Sequence, residues 1–325
     1  MRVLVTGGNR YIGVELVTEL ARRGHEVTVI NSHEVPLPHG VSRIHCDRTQ
    51  PGALASALDG YRDAFDVIFD HTAYRPSDIE PMVELFRGRV AHYVFTSSQA
   101  VYRRSYVQPL REDFRRHAPE NPDPRAAYGV GKVQCEDHLL RLWESEGLPV
   151  TLLRVGHTLG PRSPVASRDP ALFARIEAGR PILIPGEGFA GLSLVHVRDV
   201  ARLMSALIGN ETVRGKAYNV SGSEVTTIVG VVHLIARAMG ATAEVVSVPM
   251  EIARSQHPPL LHWGEALAGT AILSIDKALR EIEWSPQFGI EDGYRDSYAW
   301  YAREGRSRYE HDFSRDDVLL AAIGR

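Results

Sequence analysis

Tyr128 and Lys132 stand four residues apart in the run Tyr128-Gly129-Val130-Gly131-Lys132. On a helix that spacing puts both side chains on one face. A phenol titrates near ~10 in isolation, too high for easy proton transfer at neutral pH. An ammonium one turn away favours the phenolate and makes the pair a usable acid–base group. The same spacing also fits a plain exposed helical pair. A second candidate is the hydroxyl triplet Thr96-Ser97-Ser98, which follows the apolar run His92–Phe95. Parallel sheets bind ligands at the carboxyl ends of their strands, where Ser98 would stand, although a simple Ser/Thr turn has the same composition. A third is Gly7-Gly8-Asn9-Arg10-Tyr11-Ile12-Gly13, set between an apolar strand and the helically spaced Val14, Leu16, Val17 and Leu20. Glycine lets backbone approach a pyrophosphate, and a helix start offers free N–H groups. The middle glycine of the usual fingerprint is absent, with Arg10 and Tyr11 in its neighbourhood.

The whole chain narrows the class. With 325 residues, 44% hydrophobic and 24% charged, it reads as a globular protein of one large or two modest domains. A net charge of -3 gives no reason to expect nucleic acid. Two cysteines, Cys46 and Cys135, are too few for a disulfide scaffold. Met1-Arg2 runs straight into Val3-Leu4-Val5, and no apolar run reaches the ~18 residues of a membrane span. These features lead us to expect a soluble cytoplasmic protein. His257 and His262 sit among prolines without metal-ligand spacing, so no metal is expected.

Alternating strands and helices position the candidates. Strands are expected at 2–6, 26–30, 41–46, 65–69, 92–95 and 150–154, with helices after Gly13, around Leu54–Leu58 and from Tyr128 through Leu142. The second strand ends in Asn31-Ser32, neutral residues where NAD-preferring folds usually place an acid for the ribose 2′-hydroxyl. Arg10 could pair with a 2′-phosphate, so the cofactor is expected to be NAD(P), leaning to NADP. Asp47 ends strand three near the adenine's place, and Asp70-His71-Thr72-Ala73 follows strand four where ribose or pyrophosphate would pass. His71 reads as a packed or turn residue. Residues 103 to 127, rich in Arg, Pro and Asp, suit a mobile loop over a site. Beyond residue 162 the alternation loosens: helices are expected near 171–179, 199–208, 226–239, 276–282 and 291–303, and strands at 192–197 and 217–220. The expected fold is α/β, a Rossmann-type doubly wound parallel sheet with a smaller C-terminal substrate lobe. The dinucleotide domain would span 1–161, with 193–221 returning to it, leaving 162–192 and 222–325 to the lobe and tail.

In this order the motifs resemble an extended short-chain dehydrogenase/reductase of the NAD-dependent epimerase/dehydratase type. The resemblance rests on Ser98-x-x-x-Tyr102, Tyr128-Gly-x-x-Lys132-x-x-x-Glu136, Arg154 with Gly160-Pro161, Val195-His-Val-x-Asp-Val-Ala201, Tyr218-Asn-Val220 and Leu279-x-x-Ile282-x-Trp284-x-Pro286. It implies that Tyr128 is the acid/base, that Lys132 lowers its pKa and binds the nicotinamide ribose, and that Ser98 orients the reacting oxygen. It implies cofactor contacts from Gly7, Asn9, Arg10, Tyr11, Ile12 and Gly13, then Asn31 and Ser32, Asp47 and Arg48, and Thr72 and Ala73. Thr96, Lys132 and Val155 complete that set. A homodimer is implied as well.

Three departures bear on the reaction. Gln99 and Ala100 follow Ser98 where 4,6-dehydratases of the family carry Asp-Glu, which argues against sugar dehydration. The family's diphosphate-binding arginines fall on Leu192 and Leu267, and its asparagine after the strand-six arginine falls on His157. Arg162, Arg168, Arg180 and Arg254 are candidate replacements. The expected function is thus hydride transfer at a secondary alcohol or ketone of a sugar-like substrate, epimerisation first among the options. A simple ketone reductase is the nearest alternative. The Gly-Gly-Asn-Arg cradle also resembles a branch that includes chloroplast stem-loop RNA-binding proteins, which keeps a non-catalytic RNA-binding alternative open.

Overall fold

β1 (Arg2–Thr6) leads through the glycine turn into α1 (Ile12–Arg22). β2 (Glu26–Asn31), β3 (Ser42–His45), α2 (Ala53–Leu58), β4 (Val67–Asp70), α3 (Pro76–Phe86), β5 (His92–Ser98), α4 (Ala127–Glu146) and β6 (Val150–Val155) follow. Then come β7 (His157–Leu159), α5 (Asp169–Glu177), β8 (Ile182–Pro185), β9 (Gly191–His196), α6 (Val197–Ala206) and β10 (Lys216–Val220). The chain closes with β11 (Val225–Thr227), α7 (Ile228–Ala238), β12 (Val245–Val248), α8 (Met250–Ser255), α9 (Asp276–Glu281), α10 (Ile290–Trp300) and α11 (Ser314–Ala322). The structure, a computed structural model, describes residues 1–61, 65–255 and 269–325. His257, His262 and Leu267 lie outside the described residues.

Seven strands pair in the order β10-β6-β5-β4-β1-β2-β3, every neighbour parallel. The class is the α/β doubly wound sheet expected from the sequence. Its strands are continuous apolar runs because both faces are covered. Side chains alternate between the faces. Val3 and Val5 pack with Leu16 and Leu20 of α1 and Leu203 of α6, while Leu4 faces Ile79 and Met82 of α3 and Leu139 of α4. The strand order reverses beside β1, and the register sets Thr6 level with Ile30 and Asp70. Crevices at such reversals are where these sheets take ligands.

Smaller sheets, β11-β9-β7 and β12-β8, surround a second core that includes Phe173, Ile184, Val231, Ile235 and Tyr294. β7, β8, β11 and β12 carried no strand expectation. Residues 226 and 227, read as the start of a helix, instead belong with Val225 to a strand that pairs antiparallel with Gly191–Ser193 before α7 begins.

Two of the sequence motifs prove to be one clamp. The Asp199 carboxylate accepts the backbone N–H groups of Gln287 and Phe288 (3.1 Å each), and the Trp284 indole donates to the Asp199 carbonyl (2.9 Å). The segment between β5 and α4 is pinned rather than loose. Tyr102 bridges Arg116, Leu110 bridges Leu273, and the Gln108 amide donates to the Thr270 carbonyl while accepting from Ile272 N–H. Beneath it the buried Glu136 carboxylate takes Arg154 (2.8 Å), Arg116 (3.0 Å) and the Ser97 hydroxyl (2.6 Å). Burying charges is costly unless each is paired and hydrogen-bonded, and here each is.

Candidate active site

The glycine turn closes through close backbone contact. A Cβ on Gly13 would stand 2.2 Å from the Gly7 carbonyl oxygen, so only glycine allows α1 to start against the end of β1. Gly7 has φ +68°, and Tyr11 takes positive φ as well, at 45°. The buried Tyr11 hydroxyl accepts from Arg168 (3.1 Å), an arginine paired with Asp169 at the start of α5. Burial outweighs that arginine's charge and pushes the Tyr11 phenol up to about 12. The turn is therefore tied to the second core.

A cleft of about 610 Å³ opens over the strand ends. It gathers Gly7, Asn9, Arg10, Tyr11, Ile12 and Gly13 at one wall, with Asn31, Ser32, Asp47 and Arg48 further along. Thr72, Thr96, Tyr128 and Lys132 complete the expected residues that line it. Ala73, Ser98 and Val155 do not line it directly. Ala73 meets it through its carbonyl on Lys132, Ser98 through Tyr128, and Val155 pairs with Ser98 across β5 and β6.

Lys132 is 2% exposed, and its ammonium donates to the carbonyls of Ala73 and Thr96 (2.7 Å each). The rings of Tyr74 and Phe95 flank it at 4.9 and 4.7 Å, close enough for cation–π attraction. Burial lowers its pKa to about 8. Tyr128 is half exposed, its ring 6.2 Å from that of Tyr74, and its hydroxyl is hydrogen-bonded to Ser98. Burial at the cleft wall raises the Tyr128 phenol above its ordinary value, only partly offset by Ser98. The Lys132 ammonium donates to the two carbonyls rather than to the phenol.

Below the cleft floor, Asp70 is wholly buried and accepts from Arg48 (2.7 Å), Thr6 (2.8 Å) and Tyr93 (2.7 Å). Arg48 also donates to the Thr72 hydroxyl (2.7 Å), so a fixed ion pair supports the loop that lines the cleft. His71 bonds the Thr96 hydroxyl through Nδ1 (2.7 Å), and burial lowers its pKa to about 4, so it is neutral at physiological pH. Asn31 is 8% exposed, and neither polar atom of its amide has a partner among the described residues. Buried polar atoms are costly when unpaired, and these two line the cleft. Together with the glycine cradle they fit a dinucleotide.

Sequence reasoning missed Tyr74 and Pro164, which also line the cleft. Tyr74 follows the expected Ala73, and a ring next to a lysine-bearing helix was its only available signal. Pro164 arrives through the tertiary fold and had none. Leu192 is 1% exposed, packed in the second core. Three of the suggested replacement arginines are engaged elsewhere: Arg162 with Glu15, Arg168 with Asp169 and Arg180 with Asp317.

A family model, the NAD dependent epimerase/dehydratase family, matches residues 3–80 and 79–221. The chain belongs to that family. Among curated relatives, the 41 kDa chloroplast stem-loop binding protein b of Arabidopsis thaliana is 28% identical over 343 aligned positions, covering 98% of this chain and 84% of its own. The 2'-dehydrokanamycin reductase of Streptomyces kanamyceticus is 27% identical, covering 83% of this chain and 75% of its own. A solved UDP-glucuronic acid 4-epimerase from Bacillus cereus, in complex with NAD, superposes with a TM-score of 0.73 at 19% identity, covering 93% and 99% of the two chains. That likeness establishes the extended short-chain dehydrogenase/reductase fold. Among the described residues, no helix is long and apolar enough to cross a membrane.

Proposed function

We propose that this member of the family is an NAD(P)-dependent enzyme acting on a secondary alcohol or ketone of a sugar-like substrate, with epimerisation through a transient ketone as the first reading. The observation that carries it is the meeting of Ser98, Tyr128 and Lys132 at the glycine-lined cleft. Tyr128 keeps its proton at neutral pH, poised to give it to a carbonyl oxygen or to take one back from a hydroxyl. Ser98 orients that oxygen through the same hydrogen-bond line. Lys132, pinned by two carbonyls, holds a fixed donor beside the ribose position. The nicotinamide, when bound, supplies or accepts the hydride. A lean to NADP is supported by Arg10, exposed at the cleft wall, and by the absence of a carboxylate at Asn31 and Ser32.

Tyr128→Phe is the test. It should leave folding and cofactor affinity nearly intact and remove most turnover, by roughly the 10²–10⁴-fold that acid–base catalysis contributes. Full activity in the variant rejects the assignment. The reductase reading is favoured by one observation, the relative named for reducing 2'-dehydrokanamycin. Ready exchange of the dinucleotide on dialysis would support the reductase, and tight co-purification the epimerase. An RNA-binding role is supported by the Arabidopsis relative's name, and steeply salt-dependent RNA retention on a filter would favour it.

A further inference from the structure

Among the described residues two non-glycine positions hold a positive φ, Tyr11 at 45° and Arg162 at 65°. Both lie where the link between β7 and α5 crosses the start of α1. A residue with a Cβ enters that region at a cost, and stays only where its surroundings over-determine it. Tyr11, with ψ −110°, is the last residue of the cradle before α1. Arg162 belongs to the link, and its guanidinium donates to Glu15 in the first turn of α1 (3.0 Å).

A bond that fixes Tyr11 comes from the same link. Arg168 Nη2 donates to the Tyr11 hydroxyl (3.1 Å). The same guanidinium grips both Asp169 oxygens (3.2 and 3.1 Å) and the Ser163 hydroxyl (3.4 Å). The side chains of Arg168 and Asp169 are nearly buried, so water competes little for these bonds. Asp169 opens α5, whose Phe173 packs in the second core against Tyr298 and Tyr301. The Tyr309 hydroxyl holds the link from its other side, donating to the Ser163 carbonyl (2.8 Å). Arg168 is thus anchored in the second lobe and reaches the cradle through Nη2.

Tyr11 and Ile12 line the cleft, and Pro164 of the link lines it with them. Backbone N–H groups at a helix start are what a pyrophosphate would use. The dihedrals of Tyr11 set the direction of its peptide bond to Ile12. Leaving the left-handed region would swing that peptide and turn its N–H away.

We propose that Arg168 is a positioning residue for the dinucleotide, holding Tyr11 in the left-handed turn from the second lobe and so aiming the first N–H groups of α1 at the pyrophosphate. The proposal rests on the dinucleotide reading of the cleft. It also makes filling of the cradle and docking of α5 reciprocal, because each favours the same arrangement of Tyr11 and Arg168.

The test titrates NADP and NAD by calorimetry into full-length wild type, Tyr11→Phe, Arg168→Lys and the double variant. Phenylalanine keeps the ring and leaves Arg168 its bonds to Asp169 and Ser163. Lysine keeps a charge for Asp169 but lacks the fork that also reaches the hydroxyl. Each single variant should weaken the tighter dinucleotide roughly fivefold or more, the scale of one hydrogen bond. The double variant should stay within about twofold of the weaker single, since both remove the same bond. Hydrogen exchange supplies the second readout. Amides 11–15 of the unliganded protein should exchange faster in both single variants, and the dinucleotide should slow amides 163–172 in wild type but much less in Arg168→Lys. Single variants that bind within about twofold of wild type, or losses that multiply in the double variant, overturn the positioning role alone. A wild type that binds neither dinucleotide overturns the cleft reading together with it, so the two failures are told apart.

Discussion

Asp70→Asn is nearly isosteric, yet it should be among the most damaging single changes in the sheet. The native carboxylate is wholly buried and receives Arg48 Nη1 (2.7 Å), Arg48 Nη2 (3.3 Å), Thr6 Oγ1 (2.8 Å), Tyr93 OH (2.7 Å) and Thr72 N–H (3.1 Å). Burial alone would raise its pKa, but Arg48 and these hydrogen bonds outweigh burial and hold it far below the usual carboxylate range. Asparagine removes the charge opposing Arg48 and points an amide N–H₂ at groups that are already donors. Removing one partner of a buried pair costs about 3–5 kcal/mol. That is a large share of the ~5–15 kcal/mol that holds a domain together. At about 2–4 °C per kcal/mol, the unfolding midpoint should fall by roughly 6–20 °C. Urea unfolding of wild type, Asp70→Asn, Arg48→Met and the double variant Asp70→Asn/Arg48→Met gives the coupling, expected at ~2 kcal/mol or more. Because the folded pKa is depressed, this stabilisation is complete above the unfolded value of ~4 and is lost as pH falls towards the folded one. The gap between wild type and Asp70→Asn should therefore narrow below about pH 4. An Asn variant within ~0.5 kcal/mol of wild type at pH 7 would refute the reasoning, since that is the range of an ordinary surface change.

Gly13→Ala should cost about 1–3 kcal/mol and weaken dinucleotide binding at least tenfold by calorimetry, because its Cβ meets the Gly7 carbonyl at 2.2 Å. Buried His71 and His92, each lowered to about 4, stay neutral in the fold while an unfolded histidine protonates near ~6.5, so each should remove about 2 kcal/mol of stability between pH 7 and pH 5. His92→Gln should flatten about half of that slope in pH-resolved melts. The raised Tyr128 phenol predicts opposite pH behaviour for the two directions of hydride transfer. Alcohol oxidation, which needs the phenolate, should climb through pH 9 and beyond in stopped-flow traces, whereas ketone reduction should stay flat from pH 6 to 9.

What could be read from sequence was what the chain settles locally. β1, the glycine turn and α1 are consecutive, and the apolar alternation of Val3, Leu4 and Val5 states both faces of the sheet. Ser98, Tyr128 and Lys132 were legible because the spacing of Tyr128 and Lys132 and a hydroxyl at a strand end carry chemical meaning without tertiary detail. The short strands were not. Ile182–Pro185 becomes a strand only because Val245–Val248 lies alongside, and four apolar residues ending in proline carry no period of their own. The lysine's own partners also escaped, since helical spacing cannot say that Ala73 and Thr96 hold its donors. Asp199 and Glu136 stand in the sequence as motif acids without a stated role and are packing devices in the fold, one clamping Gln287 and Phe288, the other holding Arg154. Only their hydrogen-bond partners distinguish those roles.

The outermost strand of the central sheet, β10, has a consequence for synthesis. It pairs with β6, yet the ribosome delivers it only after β7, α5, β8, β9 and α6. At ~5–20 residues per second, the nascent chain spends roughly 3–13 s with the edge of β6 unpaired. During that interval Arg154 and Glu136 have each other but not the Tyr102–Asn219 hydrogen bond, which needs β10 in place. An exposed edge of that kind is a template for pairing with another chain. A ribosome-stalled nascent chain long enough to release β6 but not β10 from the exit tunnel should therefore recruit holding chaperones, and one long enough to release β10 as well should shed them.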